Sequence, residues 1–125
     1  MNIIDAHPHI YSDDRMKYPA IDDPWNPGEP ATAEDLKSKM DDAGVSKAVF
    51  IQTSTFYGHD NRYIMDSARQ HSEWATGVVT LSPDNAQHVE MLEDAVTSYS
   101  VRGLRGTSDQ NGEIGSPNVR RLWSK

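Results

Sequence analysis

The sequence predicts an α/β fold in which parallel strands alternate with helices. Three observations carry that reading. Short apolar runs recur at residues 3–7, 47–52, 75–81 and 101–105. Between them lie segments whose apolar residues fall at helical spacing. The second run, KAVFIQ, is nearly all apolar, as a strand covered on both faces should be.

Taken in order, residues 3–7 (IIDAH) open as a short strand. A helix follows over 32–43. Thr32 is its cap, Asp35 stands at the capping-box position, and Leu36, Met40 and Ala43 form its apolar face. Gly44 stops it. Residues 47–52 are the second strand. Asp60 is expected to cap a second helix running to about Ser72, with Ile64, Ala68 and His71 at helical spacing. Residues 75–81 form the third strand and Pro83 closes it. A third helix starts at Asp84 or Asn85, with Val89, Leu92, Val96 and Tyr99 expected on its inner face. Residues 101–105 are the fourth strand. Ser116-Pro117 begins a last helix, a capping serine followed by proline at the first helical position, with Val119, Leu122 and Trp123 as its apolar face. Strands so alternating imply right-handed crossovers and a parallel sheet. One connection is long. Residues 11–31 carry Pro19, Pro24, Pro27 and Pro30 with Tyr18 and Trp25 among them, which favours an ordered loop over the end of the first strand.

Composition excludes several classes. The 125 residues fit one domain, and the net charge is −7, from 12 basic and 19 acidic side chains. No basic run is present to neutralise phosphates, so neither nucleic acid nor an anionic membrane is an expected partner. There is no cysteine, which removes disulfides, thiolate metal sites and a cysteine nucleophile. Neither a signal-peptide pattern nor a long apolar span occurs, so a cytoplasmic domain is expected. The last helix breaks off at Lys125 after about two turns, which reads as a β/α unit cut in mid-element. Residues 1–125 are therefore expected to be one truncated domain, from the first strand to the start of the helix after the fourth.

The chemistry concentrates at the start, in IIDAHPHIYSDD. In extended backbone Asp5, His7 and His9 share one face. Pro8 has no N–H to give a ladder, so the strand should fray there and open into a site. Two imidazoles at this spacing reach one divalent ion, and neutral imidazole suits Zn, Fe, Ni or Mn. The alternative is a pair of solvated histidines. Their place at the C-terminal end of the first strand favours the site, because α/β sheets and barrels bind ligands at those ends.

These residues together resemble the N-terminal half of the amidohydrolase-2, or amidohydrolase-related, family of metal-dependent TIM-barrel hydrolases. The matching stretches are IDAHPHI, DLKSKMDDAGVSKAVFIQ, YGHDNRYIMDSA, GVVTLSPD and VRGLRG. Within the family, Tyr18-Pro19, YGHDN and GLRG are most similar to the lactonase-like branch, which includes 2-pyrone-4,6-dicarboxylate lactonase. The resemblance implies that the chain is the first half of a (β/α)8 barrel, an incomplete one. It implies that His7 and His9 are first-strand metal ligands, with zinc or manganese as the ion. The remaining histidines and the aspartate base would come from later strands. Some lactonase-like members work without metal, in which case the two histidines line a substrate pocket.

Among other residues, Arg105 at the end of the fourth strand is a carboxylate clamp, its alternative a salt bridge to a nearby aspartate. Gln52, Ser54 and Tyr57 follow the second strand and are expected to face the same rim, with Gln52 and Tyr57 as substrate contacts. Arg102, His59, His71, His88 and Trp25 read as structural or solvated. The expected function is hydrolysis of a small cyclic ester or amide, most simply a lactone bearing carboxylates. No catalytic base is assigned within the chain. The alternatives are a non-catalytic half-barrel needing a partner, and a metal-dependent phosphoesterase. The expected partners are a small-molecule substrate and either the missing C-terminal half-barrel or a second copy of the chain.

Overall fold

The computed structural model describes residues 2–29 and 31–124; Pro30 and Lys125, which enter the readings above, lie outside the described residues. Four strands, β1 (Ile4–Asp5), β2 (Lys47–Ile51), β3 (Ala75–Thr80) and β4 (Val101–Arg105), form one sheet in the order β1-β2-β3-β4. Every pairing is parallel. The helices are α1 (Ala33–Ala43), α2 (Ser54–Tyr57), α3 (Arg62–Gln70), α4 (Gln87–Ser98) and α5 (Pro117–Trp123).

Local chemistry explains most of the boundaries. At α1, Thr32 accepts from the Asp35 N–H and the Asp35 carboxylate reaches back to the Thr32 N–H, the expected capping box. Gly44 ends the helix with φ 72°, a left-handed conformation that glycine adopts without a Cβ penalty. Ser116 caps α5 by accepting from Val119 N–H, with Pro117 behind it. α3 begins later than expected. Asp60 stands one residue outside the cap, accepting from the Arg62 N–H at 3.1 Å while pairing with the Arg62 guanidinium. That pairing holds its carboxyl below the usual range. The cap position belongs to Asn61, whose side chain makes no capping bond because it is used elsewhere. α4 begins at Gln87, with Asn85 accepting from the Gln87 N–H. Its buried residues are His88, Leu92 and Ala95; of the expected set Leu92 is buried and Val89 and Tyr99 pack partly buried against the same core. Val96 alone of that set is exposed, on the groove beside the open edge of β4. α2 is a single turn that sequence periodicity does not reveal, being too short to show any.

The core lies between the sheet and its helices. Ala48 and Phe50 of β2, Ala75, Gly77 and Val79 of β3, and Val101 of β4 are buried on that side, against Met40, Ile64, Ala68, Leu92 and Ala95. Phe50 packs edge-on against Trp74 at 5.5 Å. On the other face Val49, Thr76 and Val78 are only partly covered. A register shift between Gly77 and Val78 makes Arg102 the extra residue of β4. Its guanidinium donates to Val96 and Val101 carbonyls. The bulge also turns Leu104 to the helix side, where it packs with Leu92 and Leu122.

The proline-rich loop is ordered, by tyrosine hydroxyls as much as by proline. Tyr57 Oη accepts from Ser12 N–H and Tyr63 Oη accepts from Ala33 N–H. Tyr18 Oη donates to Asp66 at 2.7 Å. Ile21 and Trp25 N–H groups donate to the Phe56 and Thr55 carbonyls, which fastens the loop over α2. No helix among the described residues is long and apolar enough to cross a membrane.

Candidate functional site

The first strand is shorter than expected. Its ladder stops at Asp5, whose carboxylate accepts from the His7 N–H at 3.2 Å and bends the chain. Asp5 therefore serves its own turn and does not continue a row with the histidines. Contact with β2 resumes three residues on, where Pro8 O accepts from Ile51 N–H. The histidines are nonetheless brought together: their ring centroids lie 5.0 Å apart, nearly perpendicular. His9 Nδ1 lies 2.8 Å from Ile51 O. A carbonyl can only accept, so Nδ1 carries a proton, and in the neutral ring this leaves the Nε2 lone pair free. Metal-binding imidazoles are commonly oriented by such a carbonyl. The two side chains thus fit as two ligands of a divalent cation. Among the described residues no group of three or more His, Asp or Glu is placed to hold one, so this pair is an incomplete ligand set.

Arg105 ends β4 on the same rim. Among the described residues it forms no salt bridge to an aspartate; its Nη1 donates to Gln52 O at 3.2 Å. His9 and Arg105 are thereby anchored on adjacent carbonyls at the end of β2. Thr53 and Thr80 are buried there, and each Oγ1 lacks a hydrogen-bond partner among the described residues.

Gln52 and Tyr57 sit differently from the expectation that they face the rim. Gln52 is fully buried, its Nε2 donating to Gly58 O at 2.8 Å and, more weakly, to Asp60 O. It fastens the loop between α2 and α3 from below. Tyr57 is 3% exposed and its hydroxyl is taken by Ser12 N–H. Burial pushes its phenol up to about 12. Ser54 starts α2 and is exposed. His59 lies on the rim loop 5.9 Å from His88. His88 Nδ1 accepts from Ser82 N–H, and burial, with His59 adding to it, holds His88 below the usual histidine value. His71 pairs with Glu34 and lies tilted against Trp74, ring centroids 5.0 Å apart. Trp25 is over half exposed, its ring 6.0 Å from Tyr11.

The residue that sequence reasoning passed over is Asn61. It is 1% exposed, its Nδ2 donates to Thr80 O at 2.9 Å, and its Oδ1 accepts from Thr80 N–H at 2.9 Å. It lies within YGHDN, but nothing in that pattern shows that the asparagine turns inward.

A parallel four-stranded sheet with helices on one face, and with its polar groups at the strand C-termini, is one half of a TIM barrel. A family model described as amidohydrolase matches residues 4–124, and the chain belongs to that family. Among solved structures it is similar to a candidate 2-pyrone-4,6-dicarboxylic acid hydrolase from Acinetobacter baumannii with citric acid bound, at TM-score 0.79 and 20% identity over 98% of this chain and 44% of the other. A second candidate hydrolase of the same name, from Pseudomonas putida, matches at TM-score 0.76 and 23% identity, over 98% of this chain and 45% of the other. A 5-carboxyvanillate decarboxylase from Sphingomonas paucimobilis matches at TM-score 0.67 and 16% identity, over 98% and 48%. The chain spans less than half the length of each. Among curated proteins none matches the sequence significantly. The solved structures of similar fold are thus named for both hydrolases and decarboxylases.

Proposed function

We propose that this chain forms the N-terminal half of an amidohydrolase-family hydrolase that opens a small lactone bearing carboxylate groups. The observation that carries the reading is the pairing of His9 and Arg105 on neighbouring carbonyls of β2, with His7 beside His9. One end of this arrangement suits a cation, the other an anion. His7 and His9 would hold a divalent ion through imidazole nitrogens, completed by ligands from outside the chain. Such an ion would supply Lewis-acid polarisation of the ester carbonyl. Arg105 would bind a substrate carboxylate through the donors that Gln52 O leaves free, a charge-assisted contact that fixes orientation. Two histidines fall short of the three protein ligands usual at a catalytic site, so the chain by itself is proposed to be catalytically silent. The similarity to proteins named for a pyrone dicarboxylate supports this substrate class.

The test uses the chain joined to a C-terminal half-barrel from a relative. Arg105→Ala should lower kcat/KM for a dicarboxylate lactone by about tenfold or more, and far less for an uncharged lactone. An equal loss for both would show that Arg105 supports the fold instead.

A further inference from the structure

We infer that Asn61 is a positioning residue for Arg105, acting through the main chain of β2. The inference rests on the reading of Arg105 as the carboxylate ligand. Its physical basis is the way the β2–β3 ladder ends. Ile51 pairs with Val78, and Gln52 N–H donates to Val78 O at 3.1 Å. In a parallel ladder the next bond runs from Thr80 N–H to Gln52 O, and the one after it brings a β2 N–H to Thr80 O. Neither forms. The Asn61 carboxamide takes both places, accepting from Thr80 N–H and donating to Thr80 O, each at 2.9 Å. It acts as a pseudo-residue of β2, supplied from the start of α3.

The consequence is a free carbonyl. Gln52 O, relieved of Thr80, accepts from Arg105 Nη1 at 3.2 Å. Arg105 pairs with Thr80 across β3–β4, so its side chain reaches over β3 to find this acceptor. Buried carbonyls do not stay unpaired, and a guanidinium offered one is held by it. Gln52 contributes twice: its backbone holds the arginine, and its side chain ties Gly58 O in the loop that presents Asn61. Without the carboxamide, Thr80 N–H would turn to Gln52 O and compete with Arg105. The buried Asn61 is thus explained by arginine orientation as well as by satisfaction of Thr80.

The first measurement needs no variant. In the isotope-labelled 125-residue chain, the scalar coupling across the hydrogen bond from Thr80 nitrogen should reach Asn61 Cγ. A coupling to the Gln52 carbonyl carbon instead would overturn the inference. If light scattering shows the chain to associate, the same spectrum is taken on the chain joined to a relative's C-terminal half. The second measurement is a double-mutant cycle with citrate as the probe. Asn61→Ala should shift the Arg105 guanidinium resonances and weaken citrate about tenfold, yet change citrate affinity less than about twofold in an Arg105→Ala background. Equal losses in both backgrounds would mean that Asn61 only supports the fold. If Arg105→Ala leaves citrate binding intact, the carboxylate reading fails. The guanidinium shift in Asn61→Ala then still decides whether Asn61 positions the arginine.

Discussion

At the scale of single residues, the site depends on where protons and lone pairs are held. His9 is oriented by Ile51 O, whereas the His7 ring is exposed and lies against the His9 ring. In the protein completed with a C-terminal half, His7→Ala and His9→Ala should each lower bound divalent metal, measured by elemental analysis. Undiminished metal in both would remove the ligand assignment. A second consequence concerns Tyr57. Its phenol titrates at about 12 in the fold against about 10 when unfolded, because burial disfavours the phenolate. The native state then holds a proton that the unfolded state has released. Stability is therefore full below about pH 10 and falls as the pH rises from about 10 to about 12. Urea midpoints over that range should decline, and Tyr57→Phe should flatten the decline. The same variant should cost about 1–2 kcal/mol at pH 7, since Ser12 N–H loses its acceptor.

At the scale of elements, the sheet has two unequal faces. Phe50 is fully buried between the sheet and the helices, while its neighbour Val49 points to the thinly covered side. Phe50→Ala should cost about 3–5 kcal/mol in chemical denaturation. Val49→Ala in the same chain should cost under about 1 kcal/mol. Similar costs at both positions would show that the second face is packed. The bulge in β4 has an architectural effect as well. It moves Leu104 to the helix side and leaves Gly103 opposite Val78, where an added Cβ would lie 2.8 Å from a Val78 methyl. Glycine there lets β3 and β4 approach on the face that a closed barrel would fill.

At the scale of the whole molecule, the surface is larger than its mass requires. The chain exposes 7446 Å² at 14.0 kDa, against about 6,700 Å² for a compact monomer of that mass. The excess has a location. β1 and β4 are unpaired edges, Ile3 and Ile4 are exposed along one, and beside the other runs a groove of about 540 Å³ lined by Leu92, Val96, Leu104, Leu122 and Trp123. Open edges beside apolar surface favour association. The chain alone is expected to self-associate in dilute solution and to hydrolyse no lactone. Light scattering and a lactonase assay check this against the same chain co-expressed with a C-terminal half. A cooperative monomer with activity of its own would contradict it.

The strand and helix order apart from the single turn α2, the capping box at Thr32, the Gly44 stop and the Ser116-Pro117 start were all legible in the sequence. Each depends on residues adjacent along the chain, whose chemistry acts locally. The strand-end place of His7, His9 and Arg105 was legible too, since it follows from element order alone. Only the tertiary structure decided what those ends do. It turned Asp5 back on the His7 N–H, sank Gln52 and Tyr57 into the core, moved Leu104 across the sheet, and placed Asn61 where β2 runs out. Those outcomes depend on unpaired main-chain groups meeting across β2, β3 and the loop between α2 and α3. A buried carbonyl or N–H takes whichever partner the packed chain brings near, and pattern along one strand carries no record of that partner.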